Sequence, residues 1–202
     1  MPNHGRLTVE ERREQLLELG LRLFGSRPYD EISIEEIAQL AGMSKGLLYH
    51  YFPSKRDFYV ACLRAASAQL RRQIRPDPTL PPAEQVRTSL AAYLDHVRSN
   101  LAKIQAFVRG GIGSDPEVME VTEGTRRAIW QFMLAGMGAS EDEHLLRFSV
   151  RSWVRFVEVI ALEWAESDAV AREAVIDVCL SVLRAAVRES RKPVFSEASE
   201  TI

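Results

Sequence analysis

The chain has 202 residues, 46% of them apolar, enough to bury one sizeable core or two smaller ones in a globular protein. Its formal net charge of −2 excludes a protein coated for charge-driven, nonspecific nucleic-acid binding, although a local basic face remains compatible. Charged residues interrupt every apolar run well before the ~20 residues of a membrane span, and the opening MPNHGRL lacks the apolar stretch of a signal peptide, so a cytoplasmic chain with no membrane contact is expected.

Apolar residues recur at spacings of three and four in almost every segment and no stretch alternates as a strand would, so the expected class is all-α with about nine helices. Thr8-Val-Glu-Glu11 reads as a capping box opening a helix through Leu16, Leu19, Leu23 and Phe24 to about Ser26, where Arg27-Pro28 ends it. A second, very short helix starts at Ser33 and carries Ile34, Ile37 and Ala38 up to Gly42, which suits the positive φ of a tight turn. The third starts at Ser44 and must end before Pro53. Ser54 opens the fourth, which runs through Phe58, Cys62 and Leu70 to the proline-rich connector 76–82. Helices are then expected at about 83–99 and 101–109, with Gly110 and Gly111 breaking the second. Asp115 as cap with Pro116 at the first helical position opens another, to about Met137. A Ser140–Glu143 capping box starts a long helix to about Glu166, and the last helix covers about Asp168 to Ser190. The two cysteines, Cys62 and Cys179, sit inside apolar helical patterns with no metal-ligand spacing and read as buried thiols.

A helix of about eight residues, a turn at Gly42-Met43 and a second such helix match the lengths of a helix-turn-helix, whose second helix enters the major groove. At 100° per residue, Leu48 and Phe52 share one side of the third helix and face the core, while Gly46, Tyr49 and His50 lie opposite with Lys45 beside Tyr49. That outward arc combines a cation, a position open to close backbone approach and two rings with hydrogen-bonding atoms, a set suited to phosphate oxygens and base edges. Tyr and His at the half-buried end of an ordinary helix is the plainer reading of the same residues. The stretch Ile32–Phe58, ISIEEIAQLAGMSKGLLYHYFPSKRDF, resembles the DNA-binding signature of the tetracycline-repressor (TetR) family of bacterial transcriptional regulators, with Met43 where Val is usual and Ser33 where Thr is frequent. The resemblance implies DNA contacts from Ser33, Ser44, Lys45, Gly46, Leu47, Tyr49, His50, Tyr51 and Lys55. Among them Lys45, Gly46 and Tyr49 would face the groove, and Ser33, His50, Tyr51 and Lys55 would meet phosphates. Arg6 would be a basic arm before the first helix. The implied division is a three-helix helix-turn-helix domain at 1–54, a helical ligand-binding and dimerisation domain at 55–190 and a flexible tail at 191–202.

The last helix confines Glu173, Asp177, Ser181, Arg184 and Arg188 to an arc of about 80° and leaves about 240° almost wholly apolar, more than a surface helix needs. It must be covered on two sides, by a second subunit or by deep burial within one. The resemblance implies the former, a homodimer through the last two helices. Such a dimer would set two reading helices on half-sites of double-stranded operator DNA about 34–36 Å apart. Tyr93, Val97, Ile104, Phe107, Val108, Trp130, Met133, Met137, Phe148 and Phe156 read either as ordinary core or as the lining of an apolar cavity for a small-molecule effector. Ser152 and Glu163 stand beside them, Glu163 inside an apolar arc where its carboxylate calls for a ligand group or an arginine. The resemblance further implies that such an effector releases the protein from its operator by shifting the helix at 55–73. The four histidines are scattered without metal spacing and no phosphate loop follows a strand, so neither an enzyme nor a cofactor is expected. The reading is a ligand-responsive transcriptional regulator, a homodimeric repressor; a helical protein-interaction scaffold is its rival.

Overall fold

The computed structural model describes residues 8–109 and 112–192. Arg6, the Gly110-Gly111 break and residues 193–202 lie outside the described residues, as does the Val108 side chain. The described residues form eight α-helices, two single 3₁₀ turns and no strand: α1 (Val9–Phe24), the turn Tyr29–Glu31, α2 (Ile34–Leu40), α3 (Lys45–Tyr51), α4 (Lys55–Gln73), α5 (Pro82–Arg109), the turn Ile112–Ser114, α6 (Pro116–Gly136), α7 (His144–Ala165) and α8 (Arg172–Ser190).

The expected starts of the first four helices are made as side-chain caps. Glu11 N–H donates to Thr8 Oγ1 and Thr8 N–H to the Glu11 carboxylate, the reciprocal capping box. Ser33, Ser44 and Ser54 each accept from the N–H three residues on. Asp115 caps α6 through the N–H groups of Glu117 and Val118.

Three boundaries differ from expectation. The helices expected at 83–99 and 101–109 are one helix kinked at Asn100, which leaves helical geometry (φ −122°, ψ 16°). Its side-chain amide donates to the His96 carbonyl, competing with the backbone ladder at the kink. α7 starts at His144 because only half of the Ser140–Glu143 box forms: Ser140 N–H donates to Glu143, whose carboxylate is also taken by Arg191, and residues 141–143 make a turn. α8 starts at Arg172, after the indole N–H of Trp164 fixes the Val170 carbonyl at 2.9 Å in the connector.

The chain divides into two compact units that do not follow chain order, residues up to 75 with 95–125, and 76–94 with 126 onward. In the first, α1 to α4 enclose Leu16, Ile32, Ile37, Leu48 and Phe58, all at most 2% exposed, with Val118 of α6 completing the core. α1 crosses α4 at Gly20, where an added Cβ would meet Cys62 Sγ at 2.4 Å and Phe58 Cζ at 2.6 Å. Phe58 cannot swing aside, since its ring is fully buried between Phe24 and Phe52. Gly20→Ala is therefore expected to destabilise the fold despite the ~1 kcal/mol that alanine gains in a helix, because overpacking costs about 1–3 kcal/mol. Chemical denaturation checks this, and Cys62→Ala in the same chain should return part of the loss. Cys62 and Cys179 are both buried free thiols, pushed up by that burial to about 12 and about 11.

In the second unit α7 packs on α8, pinned by the Trp153 indole N–H donating to the Cys179 carbonyl at 2.8 Å and by Ser149 against Ser190 at 2.9 Å. Arg87 of α5 reaches Asp177 of α8 at 2.6 Å, and Arg126 of α6 reaches Glu158 of α7 at 2.9 Å. Arg191, at the head of the expected tail, is anchored to Glu143 and to the Met137 carbonyl.

Candidate functional site

The connection from α2 to α3 is set by Gly42 at φ 64°. Met43 N–H donates to the Ala38 carbonyl and Gly42 N–H to Gln39, a Schellman end that closes α2 in three residues and turns the chain into Ser44. A side chain at Gly42 would strain this turn. α3 then buries Leu48 (0% exposed), and Phe52, which follows it, is buried at 2%. The opposite side stays in solvent: Lys45, Gly46, His50, Leu47 at 45% and Tyr49 at 42% exposed. A side chain at Gly46 would meet little, Ser44 Oγ at 4.0 Å being the nearest atom. The backbone here can lie flat against another surface.

Ser33 and Ser44 are exposed, and each hydroxyl oxygen accepts from its helix. Each hydroxyl hydrogen remains available as a donor. Tyr51 is half-buried against the core, with its ring edge-on to His50 at 5.9 Å. The geometry therefore separates Tyr51, which packs, from Tyr49, which projects.

Two acidic or aromatic neighbours were not signalled by the pattern. Lys45 forms a hydrogen-bonded ion pair with Glu35 in the first turn of α2, which holds the lysine above its usual value and the carboxylate below its own. Lys55 lies with Nζ 4.0 Å from the centre of the Tyr29 ring. The first pair is ten residues apart across a turn and the second 26 apart, so no helical spacing marks either. Glu35→Gln should free Lys45 and remove a negative charge from the exposed side of α2 and α3. DNA binding is expected to tighten about two- to fivefold at low salt and much less at high salt, measured by fluorescence anisotropy at both.

α4 is fastened at its start. Arg56 donates to both carboxylate oxygens of Asp115, at 2.6 and 2.7 Å, and to Glu117 at 2.8 Å, while Arg64 shares Glu117. The Arg56 guanidinium holds the Asp115 carboxyl down at about 2. This clamp is complete at neutral pH and is lost as pH falls from the ordinary carboxylate range toward 2.

The residues expected to line an effector cavity are divided between the units. Val97 (1% exposed) and Phe107, which stacks on Tyr59 at 6.3 Å, belong to the first. In the second, Trp130 and Met133 pack on Leu134, Leu146 and Val150, with Arg147 and Arg151 over the Trp130 ring. Phe156 is half-buried. Phe148 (67% exposed), Ser152 and Glu163 do not turn inward: with Val159 (61%) they form an exposed stripe along α7, so Glu163 needs no buried partner. The arc that reads as interior is open on this chain. Tyr93 is half-buried, its hydroxyl pushed up first by burial and then by Glu158. One turn before it, Ser89 Oγ is buried and finds no hydrogen-bond partner among the described residues. Ser89, Tyr93 and the Arg126–Glu158 pair are half-buried polar groups of this unit. Nothing in their spacing distinguishes them from a surface serine and a surface ion pair. Among the described residues no cluster of His, Cys, Asp or Glu could hold a metal ion.

Comparison with known proteins decides between a scaffold and a regulator. Residues 16–62 match the family model "Bacterial regulatory proteins, tetR family", and residues 82–186 match "Tetracyclin repressor-like, C-terminal domain". The chain belongs to the TetR family. It is a helix-turn-helix transcriptional regulator, and its relatives are regulators, not enzymes. The transcriptional activator FasR of Mycolicibacterium smegmatis is 30% identical over 169 residues, 81% of this chain and 76% of that one. A shorter match, the regulator BetI of Rhizobium meliloti, is 37% identical over 71 residues, 35% of this chain and 34% of its own. A solved TetR-family regulator from Streptomyces coelicolor superposes with TM-score 0.78 at 31% identity, covering 91% of this chain and 83% of the other. TetR-family regulators bind operator DNA and small-molecule effectors and are dimers. No described helix is long and apolar enough to cross a membrane.

Proposed function

We propose that this TetR-family protein is a cytoplasmic homodimeric repressor that leaves a palindromic operator when a small apolar or amphipathic effector binds. In this reading residues 1–54 bind DNA and residues 55–190 dimerise and hold the effector. The observation that carries it is the outward face of α3, where Lys45, Gly46, Tyr49 and His50 project together from a helix fixed by buried Leu48 and Phe52. Ser33, Ser44, Leu47 and Lys55 flank that face.

The dimer reading draws support from α7 and α8, which leave Phe148, Val159, Val178 and Val182 exposed at 39–67% on a single chain. Apolar side chains so placed are usual where a partner covers them. Ser152 and Glu163 share that α7 stripe, so they serve the partner before they serve an effector. The effector's polar group is better matched by Ser89, whose buried hydroxyl has no partner among the described residues and gains a hydrogen bond by donating to a ligand oxygen, with Tyr93 one turn on. Tyr93, Trp130, Met133 and Phe156 of the same unit supply the apolar contacts.

The test is a gel shift on selected genomic fragments with a panel of long-chain and aromatic amphiphiles. Release of DNA with a coupling of about 1–3 kcal/mol, matched by equally weakened ligand binding in the presence of operator, is expected. Tyr93→Phe should blunt the response and leave DNA binding intact. A panel that moves neither the gel shift nor the melting temperature would sink the effector. The name of the FasR relative, an activator, favours a second reading of the direction of control. In vitro transcription separates the two: a repressor lowers the output of its promoter, an activator raises it.

A further inference from the structure

We propose that Tyr29 is a positioning residue for DNA binding: its ring holds the Lys55 ammonium in place for a backbone phosphate. The proposal rests on the reading above that Lys55 touches DNA, and adds the group that makes it effective.

The ammonium nitrogen stands 4.0 Å from the ring centroid, close enough for the electron-rich face to attract the cation. Lys55 is half-buried, and loss of water there lowers its hold on its proton, so the ring replaces part of its hydration. The ring itself cannot drift. Its backbone is held where Ile32 N–H and Glu31 N–H close the 3₁₀ turn onto Tyr29 and Pro28 carbonyls. Its sides are held by Phe24, stacked at 6.0 Å, and by Tyr59, edge-on at 5.1 Å. Tyr59 is 3% exposed and is in turn edge-on to Phe24 at 4.8 Å. A rigid ring thus fixes the end of a four-carbon chain that would otherwise sample many rotamers.

Fixing that chain matters because of the charges around it. Asp30 lies near enough to act on Lys55, and Asp57 and Asp115 act on the Tyr29 hydroxyl alongside Arg56. Lys55 makes no ion pair with any of them within 4.0 Å among the described residues; the ring occupies it instead. A lysine bound to a carboxylate must break that pair to reach a phosphate, whereas a lysine on a ring keeps the ring on one side and offers its remaining N–H donors on the other. Binding then avoids most of the ordering cost of a long side chain, which is why the ring should raise affinity.

The experiment measures anisotropy of a mixed-sequence DNA duplex against the full chain, across a salt series, with tyrosine, phenylalanine or pentafluorophenylalanine at position 29. Phenylalanine keeps the ring's negative face, and the fluorinated ring keeps its shape while reversing that face. Each is paired with Lys55 and with Lys55→Ala. The fluorinated ring is expected to weaken binding about two- to tenfold when Lys55 is present and to change nothing in Lys55→Ala. Tyr29→Phe should bind like wild type. Equal affinity with all three rings, or the same fall in both backgrounds, overturns the proposal while Lys55 keeps its role. If Lys55→Ala alone changes neither affinity nor the salt slope, the phosphate contact itself is wrong and the proposal falls with it.

Discussion

Tyr49→Ala is expected to weaken binding to a selected operator by about 1–3 kcal/mol without changing the stability of the protein, and Lys45→Ala should fall in the same range. The stability half of the expectation follows from exposure. Tyr49 is 42% exposed on the side of α3 opposite fully buried Leu48, so truncation opens no cavity. The affinity half follows from position. The two residues lie one turn apart on a helix whose outward face also carries Gly46, so the chain can come close enough to DNA for their donors to reach base edges. Lys45 has a second consequence. Its ammonium is shared with Glu35 before binding, so Lys45→Ala also releases a carboxylate toward the DNA, and its loss should exceed that of a lysine with no partner. Competition titrations against unrelated DNA separate the contributions: a base contact loses specific affinity, whereas a phosphate contact loses affinity on every duplex and lowers the salt slope by about one ion.

Val178→Glu is expected to convert the dimer to monomers or to insoluble chains and to abolish operator binding at concentrations where wild type is saturated. Val178 is 48% exposed at the surface of α8, with Val182 one turn on. Its carboxylate in solvent would cost a single chain little. In a dimer closed through α7 and α8, two-fold symmetry places the substitution twice in one apolar contact, where each unpaired carboxylate loses its hydration. The variant therefore discriminates sharply: a helix merely exposed tolerates it, and a shared helix does not. Sedimentation equilibrium of both proteins across the micromolar range measures the outcome, and unfolding of the monomeric variant at its own midpoint separates lost assembly from lost folding.

The helix-turn-helix was legible because its determinants are local. Ser33, Ser44 and Gly42 act on their own helix ends, and the burial of Leu48 and Phe52 follows from spacing along one short helix. The Ser140 start failed because the Glu143 N–H closes a turn onto the Ser140 carbonyl instead of reaching the Ser140 hydroxyl, although the Glu143 carboxylate does accept from Ser140 N–H. The α8 start shifted with the Trp164 indole taking a backbone carbonyl in the connector. The apolar arcs of α7 and α8 include Phe148, Val159, Val178 and Val182, which stay exposed on this chain. Periodicity gives only a direction around each helix and not what lies there. Phe148, Ser152 and Glu163, placed in an interior by the pattern, stand instead on the open stripe. Ser89, Tyr29 and Glu35 had no signature, since their importance comes from what they meet across the fold.

The measurement that tests the central claim most directly is parallel selection of genomic DNA fragments by the wild-type protein and by Tyr49→Ala, followed by sequencing. Wild type should enrich an inverted repeat whose half-sites lie about one helical turn apart, or a whole number of turns, and Tyr49→Ala should lose that enrichment. Enrichment of no sequence by wild type, or of the same repeat by both proteins, would contradict the assignment of α3 as the reading helix.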